Sequence, residues 1–333
     1  MNNRILILIV FIAFGCKNSN SQEKKEKSSS NGLNIIQIEE YLNNQAKKDS
    51  LHGVVLIADR DQILLKKAFG YKDLEYSKKH SVDSSIGLAS MSKMFTAISI
   101  MQLKSQNKIN LDASLGNYLP KIENGFLRDS ITVRELLSHT GGVGNYWDFT
   151  SDAEQNDFDT LYKLILKKVS IKDHGNFQYS NSDYIILGKI IESISKMSYT
   201  AYVENNILRP LEMNNTSGGL PDGGSNSTVD DLFKFSRALR NNQLLPIELI
   251  EEMRSKQSNA NYGLGFQLNF KGESKIYGHP GGYYLDNTTL GVASALDIID
   301  DRYTVIVLTN RNPGMGGSSV RNFLLDYIAS KKI

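Results

Sequence analysis

Apolar residues return along this chain in two spacings, and the order of the spacings outlines a fold. In NIIQIEEYLNNQAKK (34–48) they recur at helical intervals and predict an amphipathic helix. GVVLIADRDQILLKKAFG (53–70) reads as two strands joined by a short polar turn at Asp59–Asp61. IGLASMSKMFTA (86–97) opens a helix that continues through AISIMQLKSQNKI. From about 108 to 255, loops such as SHTGGVGNYWD (138–148) and GGLPDGGSNSTVDD (218–231) alternate with helical runs such as DTLYKLILKKV (159–169) and DYIILGKIIESI (183–194). Strands return in YGLGFQLNF (262–270), KIYGH (275–279), TTLGVASALD (288–297) and RYTVIVLTN (302–310), and a final helix covers about 318–331. Helix and hairpin first, strands and helix last, predict an α+β fold with an antiparallel sheet assembled from both chain ends. One domain then spans 34–333, its α/β part about 34–107 and 256–333 and its helical part about 108–255.

The first thirty residues follow a different pattern. Behind Arg4, ILILIVFIAF (5–14) is an apolar run of ten residues, which fits a signal-peptide core and is short for a membrane span. AFGC (13–16) follows and carries the chain's one cysteine, a placement that resembles a bacterial lipoprotein signal. Residues 1–15 are therefore expected to be a signal peptide and Cys16 a lipidation site, against the alternative of an incidental cysteine in a signal cut elsewhere. The polar stretch KNSNSQEKKEKSSSNG (17–32) makes 16–33 a flexible tether, spanning roughly 20–25 Å as a random coil. The expected location is periplasmic or cell-surface, with membrane contact through the lipid. Without a second cysteine there is no disulfide to mark the compartment, so export rests on the signal alone.

Composition narrows the function classes. With 40% apolar and 22% charged residues among 333, the chain can bury a sizeable core. Its net charge of +2 hides an asymmetry, because Arg4, Lys17, Lys24, Lys25 and Lys27 face only Glu23 and Glu26 in the first thirty residues. The body is left nearly neutral, which argues against a nucleic-acid partner. No G-x-S-x-G elbow, phosphate loop or H-E-x-x-H occurs, and the five histidines (52, 80, 139, 174, 279) lack metal-ligand spacing. Neither a metal nor a cofactor is expected.

Ser-x-x-Lys occurs four times, at Ser21–Lys24, Ser90–Lys93, Ser105–Lys108 and Ser193–Lys196. Only Ser90–Lys93 combines a helix start with apolar neighbours (Met91, Met94, Phe95, Ala97). Burial matters, since a lysine at its reference pKa of about 10.4 is neutral in roughly one molecule in 2,500 at pH 7. A desolvated lysine can be a base, and residues three apart on a helix share a face. The competing reading is a Ser90 cap with a Lys93 that reaches the surface. In QYSNSDYIILGKII (178–191), Tyr179 and Asn181 enter a helix; a tyrosine beside a lysine can share the base role, while a core aromatic and a helix cap are the plain alternatives. IYGHPGGYYLD (276–286) reads as a short strand running into Gly281 and Gly282, which let backbone pass close to a ligand and offer an N–H to an oxyanion. There the alternative is an ordinary turn, with His279 at the strand end. His139, in a loop after RELLS, reads as structural.

Together these stretches resemble the serine hydrolases of the class C β-lactamase and D-alanyl-D-alanine carboxypeptidase family, which includes penicillin-binding-like proteins, esterases and D-amino-acid peptidases. The likeness extends in family order through INLDASLGNYLP (109–120), ITVRELLSHTGGV (131–143), FQYSNSDYIILGKIIE (177–192), ILRPLEMNNTS (207–217) and STVDDLFKFSRAL (227–239), covering most of 50–310. It implies a β-lactamase/transpeptidase-like fold and a Ser90 acyl-enzyme, with Lys93 beside the serine and Tyr179 sharing general-base duty. Asn181 would orient substrate and lysine, His279 would line the cleft beside Gly281, and the N–H groups of Ser90 and Gly282 would form the oxyanion hole.

Two departures bear on substrate. Pro280 stands where the family commonly has threonine or serine, which removes a hydroxyl and a strand N–H. A histidine at 279 gives no dependable positive charge at neutral pH. Both turn the expectation toward a small-molecule or peptide ester or amide, cell-wall-derived ones included, with esterase or D-amino-acid peptidase activity ahead of β-lactamase activity. The bulky YYLDN (283–287) is expected to narrow or reshape the cleft. A binding protein of the same fold, holding cell-wall fragments without turnover, is the alternative.

Overall fold

The computed structural model describes residues 32–151, 154–284, 289–312 and 316–331; Cys16, the signal segment and nearly all of the tether lie outside that range. The chain opens with α1 (Ile35–Lys47), β1 (Gly53–Asp59), β2 (Gln62–Phe69), β3 (Ile86–Gly87) and α2 (Lys93–Ser105). It continues through α3 (Gly125–Ser130), α4 (Val133–Leu137), α5 (Phe158–Lys168), α6 (Asn181–Ser195), α7 (Tyr199–Val203), β4 (Asn226–Ser227), α8 (Val229–Arg240) and α9 (Ile247–Met253). It closes with β5 (Gln267–Lys271), β6 (Ser274–Tyr284), β7 (Gly291–Ile299), β8 (Tyr303–Thr309) and α10 (Gly316–Ala329).

The predicted sheet is present, six strands in the order β2-β1-β8-β7-β6-β5, and the described pairings are antiparallel. β1 and β8 join the two chain ends in register from Gly53↔Thr309 to Asp59↔Tyr303. Both faces of these strands are covered, so their apolar residues run nearly unbroken. Alternation then divides them. Val54, Leu56, Ile306 and Leu308 enter the larger core beside the helices, while Val55, Ile57, Val305 and Val307 meet α1 and α10.

Local signals start the helices where the sequence places them. Asn34 caps α1 by accepting from the Gln37 N–H (3.1 Å), and Thr132 and Glu135 form a capping box on α4. One boundary moves. α8, expected in the helical part, lies against the sheet, where Ser236 Oγ meets Thr304 Oγ1 at 3.2 Å. Its apolar positions Leu232, Phe235 and Leu239 repeat at helical spacing and are buried, a stripe that suits a sheet face as well as another helix.

A short ribbon of β3 and β4 brings the chain that enters the Ser90 turn beside the loop 218–225. That loop is sandwiched between two helices. Thr96 on α2 donates to the Pro221 carbonyl at 2.5 Å, and on α6 a Cβ added at Gly188 would stand 2.2 Å from Pro221 Cγ. Gly188→Ala should therefore be destabilising, by about 1–3 kcal/mol for overpacking against at most ~1 kcal/mol gained in helix propensity. The urea midpoint of the full chain measures it; a midpoint at or above that of the parent would show that the loop gives way freely.

Candidate active site

Leaving β3, the chain makes one 3₁₀ turn, Ala89–Ser92, before α2 begins at Lys93. Ser90 thus sits in the turn ahead of the helix and does not cap it. Ala89 takes φ +47°, a left-handed conformation that non-glycine residues rarely adopt. Two contacts hold it there: the Leu88 N–H donates to the Ser225 carbonyl (2.8 Å), and β6 presses on the turn from the other side. At Gly281 a Cβ would fall 1.9 Å from the Leu88 oxygen, so only glycine allows this approach.

Lys93 is wholly buried. Its Nζ lies 2.6 Å from Asn181 Oδ1, 2.8 Å from the Asp222 carbonyl oxygen and 3.2 Å from Ser90 Oγ. The first two oxygens can only accept, so they take two N–H bonds. The remaining position faces the serine, where an ammonium donates and a neutral amine accepts the hydroxyl proton. Asn181 is the first residue of α6, and Ser180 is its cap. Tyr179 is 37% exposed, with its ring centroid 5.0 Å from Lys93 Nζ, and it lines the same cavity as Ser90.

The strand beyond differs from expectation. β6 does not end at its glycines; it runs from Ser274 to Tyr284, with Pro280 paired to Ala295 and Gly282 to Ala293. β5 stops pairing at Gly278, so residues 279–284 form a free edge beside the Ser90 turn. A proline, lacking the N–H, is tolerated on such an edge. His279 is therefore mid-strand and buried, not terminal. Its Nδ1 meets the Pro280 carbonyl, which can only accept, so the ring proton sits there. Nε2 then accepts from the Tyr262 hydroxyl at 3.0 Å. Burial first, and the Lys93 charge second, push the pKa of His279 down to about 3. It carries no charge at neutral pH.

A cavity of about 430 Å³ extends from Ser90 over this edge to α10. Phe177, Tyr179 and Tyr262 wall one side, and Ala293, Ala295 and Gly317 leave room on the other. Arg321 stands at the far end, forked onto Asp297 with both distances 2.7 Å and bonded to Gln267 Oε1 at 3.2 Å. Asp297 is itself buried, so the guanidinium is neutralised in place. Tyr283 and Tyr284 do not line the cavity and are 44% and 61% exposed, so the expected narrowing does not come from them; the rest of that stretch, 285–287, lies outside the described residues.

Ser90, Lys93, Tyr179, Asn181, His279, Gly281 and Gly282 are thus brought to one place, while Cys16 lies outside the described residues. Three neighbours escaped the sequence reading. Asp222 acts through a backbone carbonyl, which leaves no side-chain pattern. Tyr262 and Arg321 belong to segments with no polar motif of their own, and only the sheet's closure brings them near.

A serine with a buried lysine and an asparagine in a cleft at the sheet edge defines a serine hydrolase of the penicillin-binding type. The chain belongs to the Beta-lactamase family, whose sequence profile matches residues 38–329. Protein flp of Staphylococcus aureus (strain COL) is 30% identical over 189 residues, 54% of this chain but 38% of that protein. The chain thus spans less than half the length of these curated relatives. The octameric penicillin-binding protein homologue from Pyrococcus abyssi superposes with a TM-score of 0.76 at 22% identity, over 90% of this chain and 78% of that one. D-amino acid amidase from Ochrobactrum anthropi SV3 gives 0.74 at 19% identity, over 87% and 99%. These likenesses show the fold.

His279 also sets a pH dependence. Unfolded, it binds a proton near its ordinary pKa of 6.5; folded, only near 3. Its contribution to stability is complete above 6.5 and is lost as the pH falls toward 3, by up to about 1.4 kcal/mol per pH unit. Urea midpoints taken between pH 6.5 and 4 should fall less steeply in His279→Gln than in the parent. Parallel slopes would mean that His279 titrates normally in the fold.

Proposed function

We propose that this protein is an exported hydrolase of esters or amides whose leaving group carries no carboxylate, working through a Ser90 acyl-enzyme. The observation that carries the reading is the placement of Lys93 Nζ, enclosed without water access and bonded to two acceptors that leave its third position for Ser90 Oγ. Ser90 Oγ attacks the substrate carbonyl carbon and its proton passes to the Lys93–Tyr179 pair. The carbonyl oxygen, now an anion, is held by the N–H groups of Ser90 and Gly282. Collapse returns the electron pair, breaks the bond to the leaving group and hands that group the proton. Water then attacks the ester on Ser90 by the same path and frees the acid.

The charge of the cavity supports the substrate class. A peptide C-terminus or a β-lactam brings a carboxylate that needs a fixed cation or strong donors. Among the described lining residues, His279 is neutral, Arg321 is already committed to Asp297, and Pro280 offers neither hydroxyl nor N–H. Esters and amides that bring no carboxylate suit such a cleft, D-amino-acid amides among them. Lipid attached at Cys16 would hold the domain at a membrane surface. A second reading, a protein that binds cell-wall fragments without cleaving them, draws on Pro280, which departs from the residue the family carries at that point of the cleft.

Intact mass after fluorophosphonate treatment should show one adduct, mapped to the Ser90 peptide and missing in Ser90→Ala. Turnover of a p-nitrophenyl ester should vanish in the same variant. An unlabelled Ser90 together with absent turnover would replace the hydrolase by the binding protein. Among an acyl ester, a D-Ala-D-Ala peptide and a cephalosporin, kcat/KM should be highest for the ester, and a clear lead for the cephalosporin would overturn the substrate class.

A further inference from the structure

His139 takes no part in the acyl transfer above, yet it contacts the Tyr179 ring and both of its chain neighbours. It follows α4 in a left-handed conformation (φ +58°), in a turn closed by the Thr140 N–H on the Glu135 carbonyl at 2.9 Å. Its own carbonyl accepts from the Gln178 N–H at 2.7 Å, and its Nδ1 accepts from the Ser180 N–H at 3.3 Å. The two residues that flank Tyr179 are therefore both tied to one residue 40 positions earlier in the chain. The imidazole then packs against the phenol itself, with ring centroids 4.3 Å apart, and is backed by Tyr262 at 5.0 Å and Tyr184 at 5.2 Å.

What holds the imidazole is Asp183, whose Oδ2 lies 2.7 Å from Nδ1. Both side chains are wholly buried. The Ser180 N–H can only donate, so Nδ1 presents its lone pair, and the proton in the contact with Asp183 belongs to the carboxyl. Burial acts in the same direction, raising Asp183 well above the usual carboxylate range and lowering His139 well below its own. The pair is a carboxylic acid facing a neutral imidazole. Asp183 Oδ1 and His139 Nε2 make no hydrogen bond to another described residue.

We propose that the buried His139–Asp183 pair is a positioning unit that clamps the Tyr179 phenol over Lys93, so that the chemical step depends on it although neither residue touches substrate. This rests on the reading of Tyr179 as a partner in Ser90's proton transfer. A phenol on the rim of an open cleft would otherwise sample several rotamers, and a misplacement near 1 Å can lower a rate about 100-fold.

A double-mutant cycle on the full chain tests it, with kcat and KM for a p-nitrophenyl ester. Tyr179→Phe should lower kcat about 100-fold. His139→Ala should lower kcat about 10-fold or more with KM within about twofold, and should add less than about twofold in the Tyr179→Phe background. Equal losses in both backgrounds would overturn the clamp, because His139 would then act on the fold at large. Should His139→Ala fail to fold, Asp183, which holds the imidazole at Nδ1, gives the same cycle. Asp183→Ala should lose kcat only where Tyr179 is present, and Asp183→Asn, whose carboxamide N–H replaces the carboxyl O–H toward Nδ1, should recover it to within about threefold. An asparagine variant as impaired as the alanine variant would overturn the assignment. Undiminished kcat in Tyr179→Phe would instead sink the role given to Tyr179, and the clamp with it, while leaving the Ser90 reading intact.

Discussion

Everything in this structure that bears on chemistry depends on enclosing one amine. Taking Lys93 Nζ out of water forfeits its hydration, a loss of several kcal/mol for a charged group unless partners replace the water. Its partners come from three distant places: the turn at Ser90, the start of α6 at Asn181 and the loop carbonyl of Asp222. The α/β part supplies the lysine and serine and the helical part the other two oxygens. The site therefore exists only when both parts are closed on each other. Neither half can carry it alone, and a shift of either one strands a buried nitrogen without an acceptor.

That closure explains the close approaches around it. Gly281 lets the β6 backbone lie against that of the Ser90 turn, and Gly188 lets the Pro221 ring lie against α6. Each leaves out a side chain where another segment must come close. The left-handed Ala89 fits the same account. A strained residue of this kind persists only when its surroundings fix it, and here β6, β4 and the loop 218–225 do so together. The strain falls one residue before the serine and turns the hydroxyl toward the lysine and the cleft.

Much of the fold was legible because its signals are local or periodic. α1, the β1–β2 hairpin, α5, α6 and the returning C-terminal strands follow from spacing and caps, and the sheet from their order along the chain. The serine and lysine stood out among four similar pairs only through apolar neighbours, a stand-in for burial. Elsewhere local reading fell short for physical reasons. Gly281 and Gly282 looked like a strand end because glycine weakens strands; in the fold, tertiary contact with the Ser90 turn overrides that preference. α8 carries a stripe that cannot tell a sheet from a helix as its partner. Asp222 works through an oxygen that every residue possesses. His139 reads in the sequence as a loop residue, and its ties to 178–180 appear only once α4 and α6 are packed together.

The polar economy of the cleft runs in one direction. His279, His139 and Asp183 are buried without charge, and Arg321 is matched by Asp297. A cleft built in this way sets Lys93, with Tyr179 beside it at the open side, among uncharged neighbours. A second mobile charge nearby would compete for the serine's proton or bind the substrate's carboxylate in place of its reacting carbonyl. Neutral surroundings avoid both, and they also remove the grip by which a charged substrate would be recognised. The same neutrality therefore restricts what the cleft can hold. Discrimination is left to shape, between the aromatic wall of Phe177, Tyr179 and Tyr262 and the small residues Ala293, Ala295 and Gly317 opposite.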